Sequence, residues 1–426
     1  MNVKTLPAAK RWTVVMAALG INLILGVLYA WGVILKGLVN EWHWTKTEAT
    51  LPMSVATVCF AGMMAFAGRC QDKFGPRYVA TAGGILLGLG LIASALVHSP
   101  LAMALTFGVG AGLGIGVGYS ATTPPAIKWF PPARKGVITG IVVSGVGLAA
   151  VYISPLTQYL LSRTTIATTF ASLGVGALVL VPLLAQFLRN PPEQSAPQGS
   201  TTATPAAARG ESDWQEMLRT GQFYQLWLLM VLSASAGLMI ISQVAMIAKD
   251  QAKWSWGFVP IATLAIFNTL GRLVSGMLSD KIGRTRTMTL AFLLQAANML
   301  AFSHYDSPEW VIFGSAFTGL CYGTIFTLMP AATADFYGIR NLGVNYGLVF
   351  TAFGIAGIVG PLLGAQIRDH FGSYLHAFQI SAGMLVLGAL LARLTKAPGT
   401  RAKPATPQPA DSPANQLSKL KQSPTP

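Results

Sequence analysis

Charge is scarce in this sequence. Of 426 residues, 14 are Asp or Glu and 29 are Lys or Arg, 10% in all, where a soluble domain carries about 25%. With 53% hydrophobic residues, too few polar groups remain to cover a water-facing surface of this size, which excludes a soluble globular enzyme. Cysteine is equally sparse. Cys59, Cys70 and Cys321 lack zinc or redox spacing and fall in or beside apolar segments, so neither a disulfide framework nor a metal site is expected. The five histidines, His43, His98, His304, His370 and His376, are scattered at the ends of apolar segments. No G-x-x-x-x-G-K-[ST] loop occurs, which removes an ATP-driven pump. An enzyme finds no support, and no cofactor is expected.

What is present is a series of long apolar windows, at 12–35, 49–68, 78–97, 101–127, 136–162, 164–188, 220–248, 254–279, 287–305, 310–334, 341–367 and 370–392. Each is near the roughly 20 residues that cross a bilayer as a helix. His98-Ser99-Pro100 supplies the turn that divides the charge-free stretch 78–127. The fold class is therefore an all-α integral membrane protein of twelve transmembrane helices. The first window is too long for a signal-peptide core and lacks a clear cleavage site, so it is expected to remain.

The net charge of +15 has a topological reading. Assigning the loops alternately puts 22 basic residues on one side and six on the other, leaving Arg272 alone inside a span. By the positive-inside rule both termini are cytoplasmic, in a cell (inner) membrane. The basic balance then serves insertion and contact with the lipid bilayer, with no role for nucleic acid.

A segment rich in Pro, Ser, Thr and Ala divides the chain. The expected organisation is a cytoplasmic N-terminus (1–11), a six-helix bundle (12–189) and a cytoplasmic linker (190–219) ending in a short interfacial helix from Trp214, capped by Ser212 and Asp213. A second six-helix bundle (220–393) and a disordered cytoplasmic tail (394–426) follow. The halves repeat one pattern. Gly68, Asp72, Lys73 and Gly75, with Arg77, close the second span; Gly276, Asp280, Lys281 and Gly283, with Arg284, close the eighth. Glycine at 68 and 276 lets helices approach, Gly75 and Gly283 permit a tight turn, and the basic residues hold the loops in the cytoplasm. Each Asp can accept from free N–H groups at a helix start in the other half. Asp72 is expected near the start of span eleven (341–345) and Asp280 near that of span five (135–139), latching a cytoplasmic gate.

This doubled loop resembles that of the major facilitator superfamily, across residues 12–392. The resemblance implies two bundles about a pseudo-two-fold axis, a substrate near the membrane midplane between them, and a monomer.

Arg272 stands eight residues before Asp280, about 12 Å from the helix end. An arginine at a helix centre costs roughly 2.5–3.5 kcal/mol, and no span offers a mid-membrane acid to neutralise it. The counter-charge is then an anion from solution. A carboxylate matches a guanidinium, two oxygens to two parallel N–H donors, so Arg272 reads as a carboxylate anchor. Asn268, one turn earlier, can hold it or meet a substrate hydroxyl. Mid-span aromatics could frame the anion's apolar part: Tyr29, Trp31, Tyr119, Tyr152, Tyr322, Phe326, Tyr346 and Phe353, with Tyr119 and Tyr322 favoured by their corresponding places in spans four and ten.

Three passages, Leu25 to Trp31, Lys128 to Gly136 and Asn268 to Arg272, are similar to the monocarboxylate transporters and the bacterial oxalate:formate antiporter family. This implies a secondary transporter of lactate, pyruvate, formate or oxalate, coupled to a proton or to an exchanged anion. It also implies that Arg272 binds carboxylate, with Tyr29, Tyr119 and Tyr322 at family aromatic positions. Two positions depart from the pattern. Asn268 replaces the aspartate of animal members and does not ionise; Phe353 replaces the lysine of oxalate-type members. One intramembrane cation balances one carboxylate, which favours a monocarboxylate such as lactate or pyruvate. An oxalate:formate-type exchanger is the alternative, followed by a drug exporter or a carboxylate sensor of the same fold.

Overall fold

The computed structural model describes residues 8–192, 211–254 and 256–398. The segment read as the linker's Pro/Ser/Thr-rich stretch (193–210) and most of the C-terminal tail (399–426) lie outside the described residues.

The regular structure among the described residues is helical, without strands, and breaks divide some spans. The helices are α1 (Ala8–Leu25), α2 (Trp31–Glu41), α3 (Lys46–Phe74), α4 (Pro76–Ser94), α5 (Pro100–Met103), α6 (Gly112–Ser120), α7 (Thr123–Lys128), α8 (Lys135–Arg163) and α9 (Ile166–Ala185) in the first half. The second half has α10 (Trp214–Leu218), α11 (Gly221–Gln251), α12 (Phe258–Ile282), α13 (Arg284–Phe302), α14 (Pro308–Tyr337), α15 (Leu342–Phe371) and α16 (Leu375–Leu394). A 3-10 turn, Gly26–Ala30, joins α1 to α2, and a π-helical stretch, Ala104–Ala111, joins α5 to α6.

Local chemistry sets the ends. Thr45 and Glu48 form a capping box at the start of α3. Proline occupies the first turn of α4, α5 and α14, where its missing N–H costs nothing. Between α3 and α4, and between α12 and α13, the chain turns through Gly75 at φ 90° and Gly283 at φ 96°, a region that glycine enters freely. Asp213 and Glu216 box the start of α10, so the short helix expected from Trp214 is present.

Among the described residues, eleven helical segments are long and apolar enough to cross a membrane; α13, less apolar, is not one of them. Its polarity faces inward. Gln295 and Asn298 both donate to the Thr318 hydroxyl, at 3.2 and 3.0 Å, and Asn298 accepts from the Tyr305 hydroxyl at 3.2 Å. Large apolar side chains such as Phe66, Leu101, Leu183, Phe313 and Leu387 instead point out of the structure, as a lipid-facing surface requires.

Within the first half α4 packs on α9, α3 on α6 and α1 on α8; within the second, α12 on α14, α11 on α15 and α13 on α16. Two seams join the halves, α3 against α15 and α8 against α12 and α14. The short α2 packs on α3, α8 and α9, and α11 on α12, α14, α15 and α16.

Candidate functional site

Arg272 lies on α12 beside the α8 seam and is 2% exposed. Its Nε donates to Asn268 Oδ1 at 3.2 Å, a contact the i, i+4 spacing creates. Its Nη1 donates to the carbonyl of Val143 on α8, reaching across to the other half. Its Nη2 makes no hydrogen bond, and no carboxylate pairs with it, among the described residues. The guanidinium lies over the Phe326 ring, 5.0 Å from its centroid, a cation–π contact that is stronger where water is excluded. The Arg272 carbonyl accepts from the Thr327 hydroxyl at 3.0 Å, fixing α12 on α14.

Around this cation stands a cluster of rings drawn from both halves. Tyr322 lies edge-on to Phe326 at 5.0 Å and Phe326 to Phe353 at 5.5 Å. Phe353 lies 5.3 Å from Phe350, and Phe350 lies 5.6 Å from Tyr119 and 5.1 Å from Phe60. Tyr119 and Phe60 come from α6 and α3, the others from α14 and α15. Tyr29 lies in the 3-10 turn, where its carbonyl accepts from the Ser154 hydroxyl at 3.0 Å. Thus Arg272, Asn268, Tyr119, Tyr322, Phe326 and Phe353 converge on one place.

Two aromatic candidates do not. The Trp31 indole N–H donates to the Ala49 carbonyl at 3.0 Å and its ring lies on Phe107, inside the first half. The Tyr152 hydroxyl donates to the Leu23 carbonyl, and its ring is 38% exposed. Phe60 and Phe350 belong to the cluster and were not singled out from the sequence. The signal for Phe350 is its i, i+3 relation to Phe353; Phe60 has none without the helix pairing.

At the doubled-motif end, Asp280 Oδ1 and Oδ2 accept from the N–H groups of Gly136 and Val137, both at 2.9 Å. Asp72 accepts from Gly343 at 3.2 Å and Val344 at 2.9 Å. Both carboxylates therefore sit on the first turn of a helix in the other half, where the free N–H groups and the dipole favour an anion. Glycine makes the approach possible. A Cβ on Gly68 would meet the Gly343 backbone, and one on Gly276 that of Gly136.

The two contacts are unequal. Arg284 pairs with Asp280 and with Asp335 (3.0 Å) and donates to Ser279 Oγ at 2.6 Å, while Lys135 pairs with Asp335 at 3.0 Å. Asp72 has one cationic partner among the described residues, Lys128 at 3.8 Å. Beside it both side-chain polar atoms of Gln71 and Oδ1 of Asn345 are buried without partners. Lys73, Arg77 and Lys281 are exposed and stand apart from these contacts. Lys128, Lys135, Asp335 and Gln71 were missed in the sequence, although both lysines lie in the conspicuous passage before span five.

From the segment before α10, Glu211 accepts from the Arg340 N–H at 2.8 Å, and the Ser212 carbonyl accepts from Asn341 and Asn345. Trp214 carries Arg69 of α3 over its ring at 5.9 Å, so this segment touches both halves.

The profile described as Major Facilitator Superfamily matches residues 13–297 and 259–425. An oxalate:formate antiporter of Oxalobacter formigenes is 28% identical over 376 residues, 87% of this chain and 88% of the relative. Monocarboxylate transporter 13 of Bos taurus is 23% identical over 385 residues, covering 89% of this chain and 87% of its own. The solved fucose:proton symporter FucP of E. coli superposes with a TM-score of 0.66 at 16% identity, over 90% of this chain and 98% of that one. The doubled loop, the two seams and a profile match over most of the length agree: this chain belongs to the Major Facilitator Superfamily of multi-pass membrane transporters.

Proposed function

We propose that this chain is a secondary transporter of small monocarboxylates of the lactate or pyruvate kind, working by alternating access. One observation carries the reading: a guanidinium 2% exposed within a membrane span, with no acidic partner among the described residues. Burying an unpaired cation is unfavourable, and an arriving carboxylate removes that cost while meeting the N–H donors Arg272 has left over. Asn268 orients the guanidinium through Nε. Tyr29, Tyr119, Tyr322, Phe326 and Phe353 frame the anion's apolar part and exclude water. Relatives named for oxalate, formate and monocarboxylates support a small carboxylate as the class.

Asp72 and Asp280, with Gly68, Gly276 and Arg284, latch the cytoplasmic end, while exposed Lys73, Arg77 and Lys281 set sidedness. Both termini are then cytoplasmic in a cell inner membrane, and the latched arrangement is closed toward the cytoplasm. Binding neutralises Arg272 and favours closure of the outer end, since a ligand moves an equilibrium only by its differential affinity.

A second reading, exchange of oxalate-type anions, is favoured by the 28% identical oxalate:formate antiporter. Uptake of labelled lactate, pyruvate, formate and oxalate into proteoliposomes, with and without a pH gradient, separates the two. Arg272→Ala should abolish saturable uptake; uptake surviving that substitution refutes the anchor. Counterflow without proton movement identifies exchange.

A further inference from the structure

Tyr322 owes its place beside Arg272 to a glycine on α11, a helix outside the ring cluster. Gly237 ends the run Ser233-Ala-Ser-Ala-Gly237, every residue of which is small and buried. A Cβ on Gly237 would run into Cδ2 of the Tyr322 ring and stand 2.9 Å from Cε2 and 3.0 Å from Cγ, so the ring lies on the bare backbone of α11. These atoms belong to a rigid ring close to its own backbone, not to the tip of a flexible chain. The space between α11 and α13 that Tyr322 also lines, bounded by Ser233, Ala291, Phe292, Gln295 and Cys321, is too small to hold a water molecule. Tyr322 is edge-on to Phe326 at 5.0 Å, and Phe326 carries the Arg272 guanidinium 5.0 Å from its centroid.

We propose that Gly237 is a positioning residue of the anion site: having no side chain, it lets Tyr322 lie back on α11 and keeps the approach to the Arg272 guanidinium open. The inference rests on the carboxylate reading of Arg272 and names a residue that shapes the site without touching the anion. Helix packing does not account for this glycine. At Gly271 and Gly319 an added Cβ meets the backbone of a neighbouring helix, whereas at Gly237 the three nearest atoms all belong to Tyr322. A close-packed interior transmits strain instead of absorbing it. With no room beside α13, a ring pushed off α11 moves toward Phe326 and the cation that Phe326 carries, and covers the guanidinium.

The test is a double-mutant cycle on the full-length protein: wild type, Gly237→Ala, Tyr322→Ala, which removes every atom the added carbon meets, and the two together. One readout is KM and kcat for uptake of labelled lactate and pyruvate into proteoliposomes. The other needs no substrate: the rate at which phenylglyoxal modifies Arg272 in the ligand-free protein, resolved by peptide mass spectrometry. Gly237→Ala should raise KM and slow the modification of Arg272 by about tenfold each, a coupling of the size that contacting residues show. In the Tyr322→Ala background it should change either quantity by less than about twofold. Equal effects in the two backgrounds, or an Arg272 rate that Gly237→Ala leaves unchanged, overturn the proposal and make Gly237 a packing residue. If Gly237→Ala does not fold, recovery of folding in the double variant supports the proposed contact and its failure to recover overturns it. If the wild type takes up neither acid while the Arg272 rates follow the cycle, the carboxylate reading falls and the placement of Tyr322 by Gly237 stands.

Discussion

Removing Asp280 should open the latched end far more than removing Asp72. Asp280 receives two N–H groups from the opposite half at 2.9 Å each, and hydrogen bonds to a charged group contribute about 1.5–3 kcal/mol apiece. Water reaching a widened end recovers part of that, and Arg284 retains Asp335, so Asp280→Ala should cost the latched state about 3 kcal/mol. At about 1.4 kcal/mol per decade, the equilibrium moves roughly a hundredfold. Asp72 accepts one longer contact at 3.2 Å and one at 2.9 Å, and its lysine stands 3.8 Å away. Beside it the buried, unpartnered groups of Gln71 and Asn345 already work against the closed arrangement, at about 1–3 kcal/mol for each such group. Asp72→Ala should therefore shift the equilibrium only about tenfold. Spin labels at exposed Tyr78 and Arg286, one in each half near this end, would report the separation as a distance distribution in liposomes. Equal shifts for the two variants, or a larger one for Asp72→Ala with normal insertion, would refute the argument.

Three further outcomes follow from the site. Arg272→Lys keeps the charge but loses the planar fork that reaches Asn268 and Val143, so uptake affinity should fall at least tenfold while the protein still folds; unchanged affinity would contradict bidentate recognition. Gln71→Met removes two stranded polar atoms at nearly constant volume and should stabilise the latched protein by about 1 kcal/mol, read as a higher midpoint of thermal unfolding. Phe353→Lys places a second cation beside the ring that carries Arg272 and should move preference from monocarboxylates toward oxalate, measured by competition for uptake; this fails if oxalate competes no better than before.

The spans were legible because charge is so rare that each charged group marks a boundary, and even α13 was bracketed by Arg286 and Asp306. The Asp72 and Asp280 contacts were legible for a different reason: a pattern occurring twice at equivalent places constrains the partner in each half. Lys135 and Asp335 were not, because their pairing depends on how one half sits on the other, and a single sequence carries no such relation. Trp31 and Tyr152 show the same limit inside a bundle. Nearly every face of these helices is apolar, toward lipid or toward neighbours, so periodicity does not reveal which aromatic turns to the centre. Asn268 was legible by contrast, since i, i+4 spacing to Arg272 is a local property of one helix.

At each seam the halves meet backbone to backbone, Gly68 on Gly343 and Gly136 on Gly276. Side chains can flex and follow a parting surface; two backbones cannot. A radial gap of roughly 0.5–1 Å already forfeits a quarter to a half of a dispersion contact, and the same displacement strains the N–H bonds to Asp72 and Asp280. The joint therefore has a short reach and steep walls. If the seams part during transport, as the proposed gating role requires, the joint should act as a snap fastening rather than a spring, leaving little range of half-open widths through which ions could leak.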